Sequence, residues 1–489
     1  MIHAFISHGY PIVLDVYSGS VHLVDEPTLF AIQTIEKNAS NPQHFDHDRL
    51  KAALGQACKD LSPKEAADIC SEIQTLIDDQ VLFTEDSYRD LSIDLTKRKT
   101  EVKALCLNVA HTCNLDCDYC FASQGKYHGE RAIMPFEVAK QAIDFLIAHS
   151  GGHRVLDVDF FGGEPLLNWD VVKKTVAYAD ELGAHHHKKF RYTFTTNGLL
   201  LDEEVGQFLN AHMHNVVLSL DGRPEVHDRL RHTLSGQGSY DRILPKFQAF
   251  VKSRGDQEYY VRGTFTGHNK DFCQDIIHMA NLGFHRLSME PVIGDPAEPY
   301  MLQEEDLSLL EDQYDQLTCE MLRRDRIADD CLSRGGRLSD LPLEDQPFLF
   351  YHFMMNLEEG PCIYKRISGC GSGTEYMAVT PWGDLYPCHQ FVGEDAYLLG
   401  NVFDGVKNEA LTQEFKQCNC YARSECQDCW AKLYCSGGCA ANALHATGKL
   451  TGTLPFSCAL FRKRMECALT LKVDALVRQA EREPKKAEA

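Results

Sequence analysis

The chain has 489 residues, 44% hydrophobic and 25% charged, enough for roughly three domains with cores that need no covalent staple. Its 49 basic and 71 acidic side chains leave a net charge of −22, which repels phosphate backbones and excludes nucleic acid as an expected partner. Twenty cysteines, no basic-then-apolar leader in the first ten residues and no run near the roughly 18 apolar residues of a membrane span together predict a cytoplasmic protein without membrane contact, in which clustered thiols bind metal.

Residues 11–16 and 21–24 are apolar stretches joined by the turn residues Tyr17, Ser18, Gly19 and Ser20, which predicts an opening hairpin. Asp25 suits a helix cap before Pro27, and a second helix places Leu50, Leu54, Cys58 and Leu61 on one face. Ser62-Pro63-Lys64-Glu65 is a capping box with proline in the first turn, opening a third helix with Ile69, Ile73 and Leu76 inward. A short strand is expected at 81–84, and Cys58 and Cys70 belong to this core. Hairpin, three helices and strand is a winged-helix order; without basic charge its free edge suits an extended peptide, and the alternative is a purely structural cap. The run Lys97-Arg98-Lys99 reads as solvated linker charge.

From Glu101 onward, short apolar runs alternate with amphipathic segments. Strands are predicted at 105–109, 155–161, 190–195, 216–220, 259–266 and 286–289, with helices such as 136–147 and 171–182 between them. This pattern argues for parallel βα units closed or partly closed into a barrel, whose site lies at the C-terminal strand ends. Cys113, Cys117 and Cys120 fall in the loop after the first strand. Three thiolates in eight residues can cover one face of a cubic iron–sulfur cluster and leave its fourth iron open, whereas zinc wants a fourth protein ligand, for which His111 is the candidate.

This Cys-x3-Cys-x2-Cys loop, with Tyr119 before its last cysteine, resembles that of the radical S-adenosylmethionine (SAM) enzymes. The later strand ends agree in order: Gly162-Gly163-Glu164-Pro165, then Thr195-Thr196-Asn197-Gly198, then Ser219-Leu220-Asp221-Gly222. The resemblance implies that the open iron chelates the amine and carboxylate of SAM, that an electron breaks a carbon–sulfur bond, and that the resulting 5′-deoxyadenosyl radical abstracts a substrate hydrogen. Paired glycines then let backbone approach the ligand, Glu164 accepts from its ammonium, and Asn197 and Ser219 offer neutral partners. Tyr119 and Asp221 complete the implied SAM contacts, with Arg262 for the carboxylate or, alternatively, in a structural salt bridge.

The last third carries Cys370-x12-Gly383-x4-Cys388, then Cys426-x2-Cys429-x5-Cys435-x3-Cys439, then Cys458. Four of these alone would suit a zinc ribbon. The full order resembles the SPASM extension of radical SAM enzymes, a cradle for two auxiliary 4Fe-4S clusters, three in all. The resemblance assigns Cys370, Cys388 and Cys439 to the first and Cys426, Cys429, Cys435 and Cys458 to the second. Cys362 is the candidate fourth ligand of the first; without it an open iron there would capture a substrate thiolate. Cys418 and Cys420 fall outside the pattern and read as ordinary thiols.

Longer stretches, Val13-Leu14-Asp15-Val16, Cys106-Leu107-Asn108-Val109-Ala110-His111 and Gly369-Cys370-Gly371-Ser372-Gly373-Thr374-Glu375-Tyr376, look like those of the SCIFF peptide maturases over nearly the whole chain. That family installs thioether crosslinks in a ribosomally made six-cysteine peptide. The resemblance implies a winged-helix leader-docking domain at 1–88, a linker at 89–103, a partial (β/α)6 TIM-like barrel at 104–320, a helical bridge at 321–360, a SPASM domain at 361–470 and a charged tail at 471–489, of which the part from Arg478, rich in charge with Pro484, is expected to be mobile. It also implies two partners, a cysteine-rich precursor peptide and an electron donor such as a flavodoxin or ferredoxin. The rival readings are a sulfatase-maturase-like enzyme that makes formylglycine and a non-catalytic zinc adaptor. His185, His186, His187, His212 and His214 have poor ligand spacing and belong to the surface.

Overall fold

A computed structural model describes residues 1–90, 99–355 and 362–487; Lys97 and Arg98 lie outside them. The chain opens with a three-stranded antiparallel sheet in sequential order, Ile2–Ser7, Tyr10–Asp15 and Val21–Leu23. Ser7 pairs with Tyr10, so His8 and Gly9 form a two-residue turn, and both have positive φ, 49° and 84°, as such tight hairpins require. The expected hairpin is therefore the second of two. Helices Glu26–Asn38, His47–Ala57 and Pro63–Asp78 follow. Asp25 accepts a hydrogen bond from the Thr28 amide at 2.8 Å, and both halves of the Ser62–Glu65 capping box are made. Ile32, Leu54, Cys70 and Ile73 are fully buried in a core of this module's own.

The strand expected at 81–84 does not form. Gln80 and Phe83 take left-handed backbone conformations, φ 59° and 54°, which break an extended run. The Thr84 amide instead donates to the buried Asp15 carboxylate at 3.0 Å.

All six barrel strands are present: Ala104–His111, Val155–Gly162, Lys189–Thr196, Asn215–Ser219, Tyr259–Phe265 and Arg286–Pro291. They lie side by side in that order, all parallel. Crossover helices include Phe136–His149, Trp169–His186 and Tyr240–Arg254. The sheet extends at both ends, where Leu349–Phe350 joins the sixth strand and Tyr376–Val379 joins the first, each in parallel. The second addition carries the cysteine-rich C-terminal region into the same sheet. The path of strands is open, ending at Leu349–Phe350 and at Gly405–Val406. Alternate residues such as Leu105, Leu107, Val158, Phe160, Phe194 and Leu218 are fully buried, as expected of strands covered by helices on one face.

The long helices Leu307–Ser333 and Pro455–Ala487 pack on each other. Arg478 binds Asp474 at 2.6 Å and also reaches Asp325 and Asp329. The tail from 471, expected to be mobile from Arg478, is thus helical as far as Ala487: one arginine faces three carboxylates from two helices, a pattern invisible to composition. The five histidines named above are exposed. No helix among the described residues is long and apolar enough to cross a membrane.

Candidate active site

The first strand ends at His111, and the next residues turn across the C-terminal end of the sheet. There Gly163 donates to the Ala110 carbonyl at 2.7 Å and Glu164 to the Thr112 carbonyl at 3.0 Å. A Cβ on Gly162 would lie 2.5 Å from the Ala110 oxygen, and one on Gly163 would lie 2.1 Å from the Thr112 oxygen. The paired glycines therefore serve a close approach to the chain's own backbone, which seats the three-cysteine loop.

Asn197, at the end of the third strand, reaches the same loop. Its Nδ2 donates to Asn114 Oδ1 at 2.8 Å and lies 3.7 Å from Cys113 Sγ. Glu164 is fully buried. Its carboxylate accepts from the Leu166 amide at 3.0 Å, the Thr196 hydroxyl at 2.9 Å and the Asn197 amide at 2.8 Å. Burial nevertheless pushes the acid up to about 7, with those donors pulling the other way. Glu164 is thus a clamp between the second and third strand ends before any ligand arrives.

Cys117 lies on a short strand, Leu115–Cys117, paired with Arg231–Thr233. Opposite it, Arg231 Nε binds Asp221 Oδ2 at 2.8 Å, and the same oxygen accepts from the Tyr119 hydroxyl at 2.5 Å. Asp221 Oδ1 accepts from the Thr264 amide at 3.0 Å. This corrects the expected role of Asp221. Its carboxylate is spent on holding Tyr119, Arg231 and the fifth strand, and it does not line the cavity. Arg231 was not singled out from sequence, since Asp221 is ten residues away and Tyr119 and Cys117 more than a hundred.

One cavity of about 240 Å³ gathers the rest of the expected site. Cys113, Cys117, Cys120 and Tyr119 form one wall, and Gly162, Gly163, Glu164 and Asn197 another. Ser219 and Arg262, directly paired across the fourth and fifth strands, close it with Glu290 from the sixth. Arg262 Nη2 lies 4.0 Å from Glu290 Oε1, and burial of Glu290 is outweighed by His352 and the arginines, which hold its acid down to about 2. The far wall includes His389 and Gln390, the residues that follow Cys388. His389 packs its ring 5.0 Å from Phe161 and 5.5 Å from Phe121. Neither His389 nor Glu290 carries a signal in sequence. His111 does not line the cavity; it stacks on Tyr127 at 4.7 Å, and burial lowers its pKa to about 4.

Burial pushes the Cys113 thiol up to about 12 and raises Cys117 further, against the pull of Arg231. Cys120 opposes the ionisation of both, so the three sulfurs are electrostatic neighbours. Buried thiols such as Cys113 and Cys117 lose their protons when they bind a metal. Among the described residues, no three His, Cys, Asp or Glu converge closely enough for a single ion, and the donor set fits a larger thiolate-bound body such as a 4Fe-4S cluster.

The C-terminal cysteines fall into two neighbourhoods. Cys370 and Cys439 oppose the ionisation of Cys388; Cys458, Cys426 and Cys429 oppose that of Cys435. Cys362 is exposed and caps the helix Ile363–Ser368.

The match of its central residues to the radical SAM superfamily, together with its relatives, makes this chain a radical SAM enzyme. Residues 107–281 match the radical SAM superfamily. An uncharacterized protein of Methanocaldococcus jannaschii is 26% identical over 66% of this chain and 96% of its own length. A cysteine-type anaerobic sulfatase-maturating enzyme of Clostridium perfringens is 25% identical over 67% of this chain and 85% of its own. Among solved structures, native anSMEcpe with bound AdoMet and Kp18Cys peptide superposes with a TM-score of 0.58 at 21% identity, covering 77% of this chain and 99% of that one. Streptococcus suis SuiB bound to S-adenosylmethionine gives a TM-score of 0.50 at 16% identity, covering 93% of this chain and 98% of that one.

Proposed function

We propose that the chain forms thioether crosslinks between cysteine sulfur and carbon in a ribosomally made, cysteine-rich peptide of the SCIFF type. The observation that carries the reading is the extent of the cavity, which runs from the three-cysteine loop to His389 and Gln390, the residues that follow Cys388. SAM and its cluster, when bound, supply hydrogen-atom abstraction. The chain's own residues orient and enclose. Arg262, backed by Glu290, takes the SAM carboxylate, and Glu164, held rigid by its three donors, takes the ammonium. Phe121, Phe161 and Val292 exclude water. The two C-terminal cysteine neighbourhoods hold the auxiliary clusters, and a small flavodoxin or ferredoxin in the cytoplasm provides electrons.

The leader segment docks on the N-terminal module. Among the described residues Val21–Leu23 pairs only with Tyr10–Asp15, which leaves its outer edge for an added strand, and Leu23 is 46% exposed there. Formylglycine formation is the second reading, favoured by the kinship with the Clostridium perfringens enzyme. Anaerobic incubation of a cysteine-rich peptide with the enzyme, SAM and a reductant tests both. Crosslinking removes two hydrogens per bridge and lowers the free-thiol count, whereas formylglycine removes the sulfur. Replacing Cys113, Cys117 and Cys120 together with alanine should leave the peptide at its starting mass, and any modification by that variant would overturn the assignment.

A further inference from the structure

A second, smaller cavity, of about 60 Å³, lies beside the turn that leads into the strand Tyr376–Val379, lined there by Gly371, Ser372, Thr374 and Glu375. Cys370 lines it, Gly438 and Ala440 bring the chain on either side of Cys439 to its wall, and the second thiol in the wall is Cys418. Cys362 is not part of the lining. Cys362 and Cys370 stand at opposite ends of the helix Ile363–Ser368. The helix between them has six residues, roughly 9 Å of rise at about 1.5 Å each.

The cavity also holds a cation with unfinished bonding. Arg423 is 1% exposed and lines the wall. Two of its nitrogens donate to the Leu450 and Gly452 carbonyls, while its buried Nε has no partner. A buried guanidinium N–H without an acceptor is costly unless something negative sits before it. A cluster bound by thiolates is anionic and supplies that acceptor. Ser372, which lines the same wall, donates its hydroxyl to the Pro387 carbonyl at 3.1 Å and so brings the chain beside Cys388 to the cavity.

We propose that Cys418, and not Cys362, is the fourth protein ligand of the iron–sulfur cluster held by Cys370, Cys388 and Cys439, with Arg423 Nε as a hydrogen-bond donor to it. The inference rests on the reading of those three cysteines as cluster ligands. Each thiol gives its proton to solvent as its sulfur binds iron. With four thiolates such a cluster would offer no vacant iron to a substrate sulfur.

The test uses the full chain with Cys113, Cys117 and Cys120 replaced by alanine, so that only C-terminal iron is counted. Adding Cys418→Ala should lower iron from roughly eight to about four atoms per chain, or alter the electron paramagnetic resonance spectrum of the reduced protein, while Cys362→Ala leaves both as in the parent. On the otherwise unmodified, iron-loaded enzyme, alkylation followed by mass spectrometry should find Cys362 labelled and Cys418 protected until a chelator removes the iron. Labelling of Cys418 as fast as Cys362, or loss of iron with Cys362→Ala alone, would overturn the assignment of Cys418 and leave the cluster site standing. A parent chain that holds no iron would overturn both.

Discussion

Gly163 shows what one missing methyl group does for the site. A Cβ there would meet the Thr112 oxygen at 2.1 Å and the Cys113 nitrogen at 3.0 Å, both backbone atoms that no rotamer change can move. Gly163→Ala should therefore push the three-cysteine loop off its seat. Overpacking of this kind costs about 1–3 kcal/mol, so the melting temperature should fall and SAM affinity should drop by at least about tenfold, as read by calorimetric titration. The cysteines were legible in sequence because their spacing is itself the signal. Asp221 was misread because its partners, Tyr119 and Arg231, reach it only through the fold. Glu164 was read as a ligand group, and its three donors became visible only once the second and third strands lay side by side.

At the scale of elements, apolar runs located all six parallel strands within a few residues, since a strand covered by helices must be apolar along its length. The run at 81–84 has the same composition but not the backbone, and two left-handed residues decide against it. Docking contacts between elements had no sequence signature at all. Lys432 sits between Cys429 and Cys435, its side chain fully buried, with Nζ 3.1 Å from Asp86 Oδ2, 3.2 Å from the Tyr17 hydroxyl and 3.0 Å from the Gln427 carbonyl. Asp86 in turn accepts from the Tyr421 hydroxyl at 2.8 Å. Removing one partner of a buried ion pair costs about 3–5 kcal/mol. Lys432→Met should loosen the N-terminal module, seen as faster amide hydrogen exchange over residues 1–90, and adding Asp86→Asn should restore part of the protection.

Across the whole molecule, the N-terminal module and the second cysteine set share one hydrophobic cluster: Val16 from the first meets Ile367, Cys420, Cys426 and Leu433 from the second. His3 stacks flat on Trp430 at 3.8 Å and 4°. The module is therefore bound into the C-terminal region as well as folded on a core of its own. Deleting residues 1–85 should abolish binding of the leader peptide and, by uncovering this cluster, also lower the C-terminal iron content, while the cavity of the first three cysteines still cleaves SAM; iron analysis and detection of 5′-deoxyadenosine would check the two halves. The same contact bears on how the protein is made. Residues 1–90 leave the ribosome with a complete core of their own, yet the surface they rest on is translated more than 300 residues later, on the order of tens of seconds at ordinary elongation rates. During that interval Val16, Tyr17 and His3 stand exposed, so a nascent chain stalled before residue 420 carries a folded module with a bare apolar face, which is where chaperone binding or premature association would begin.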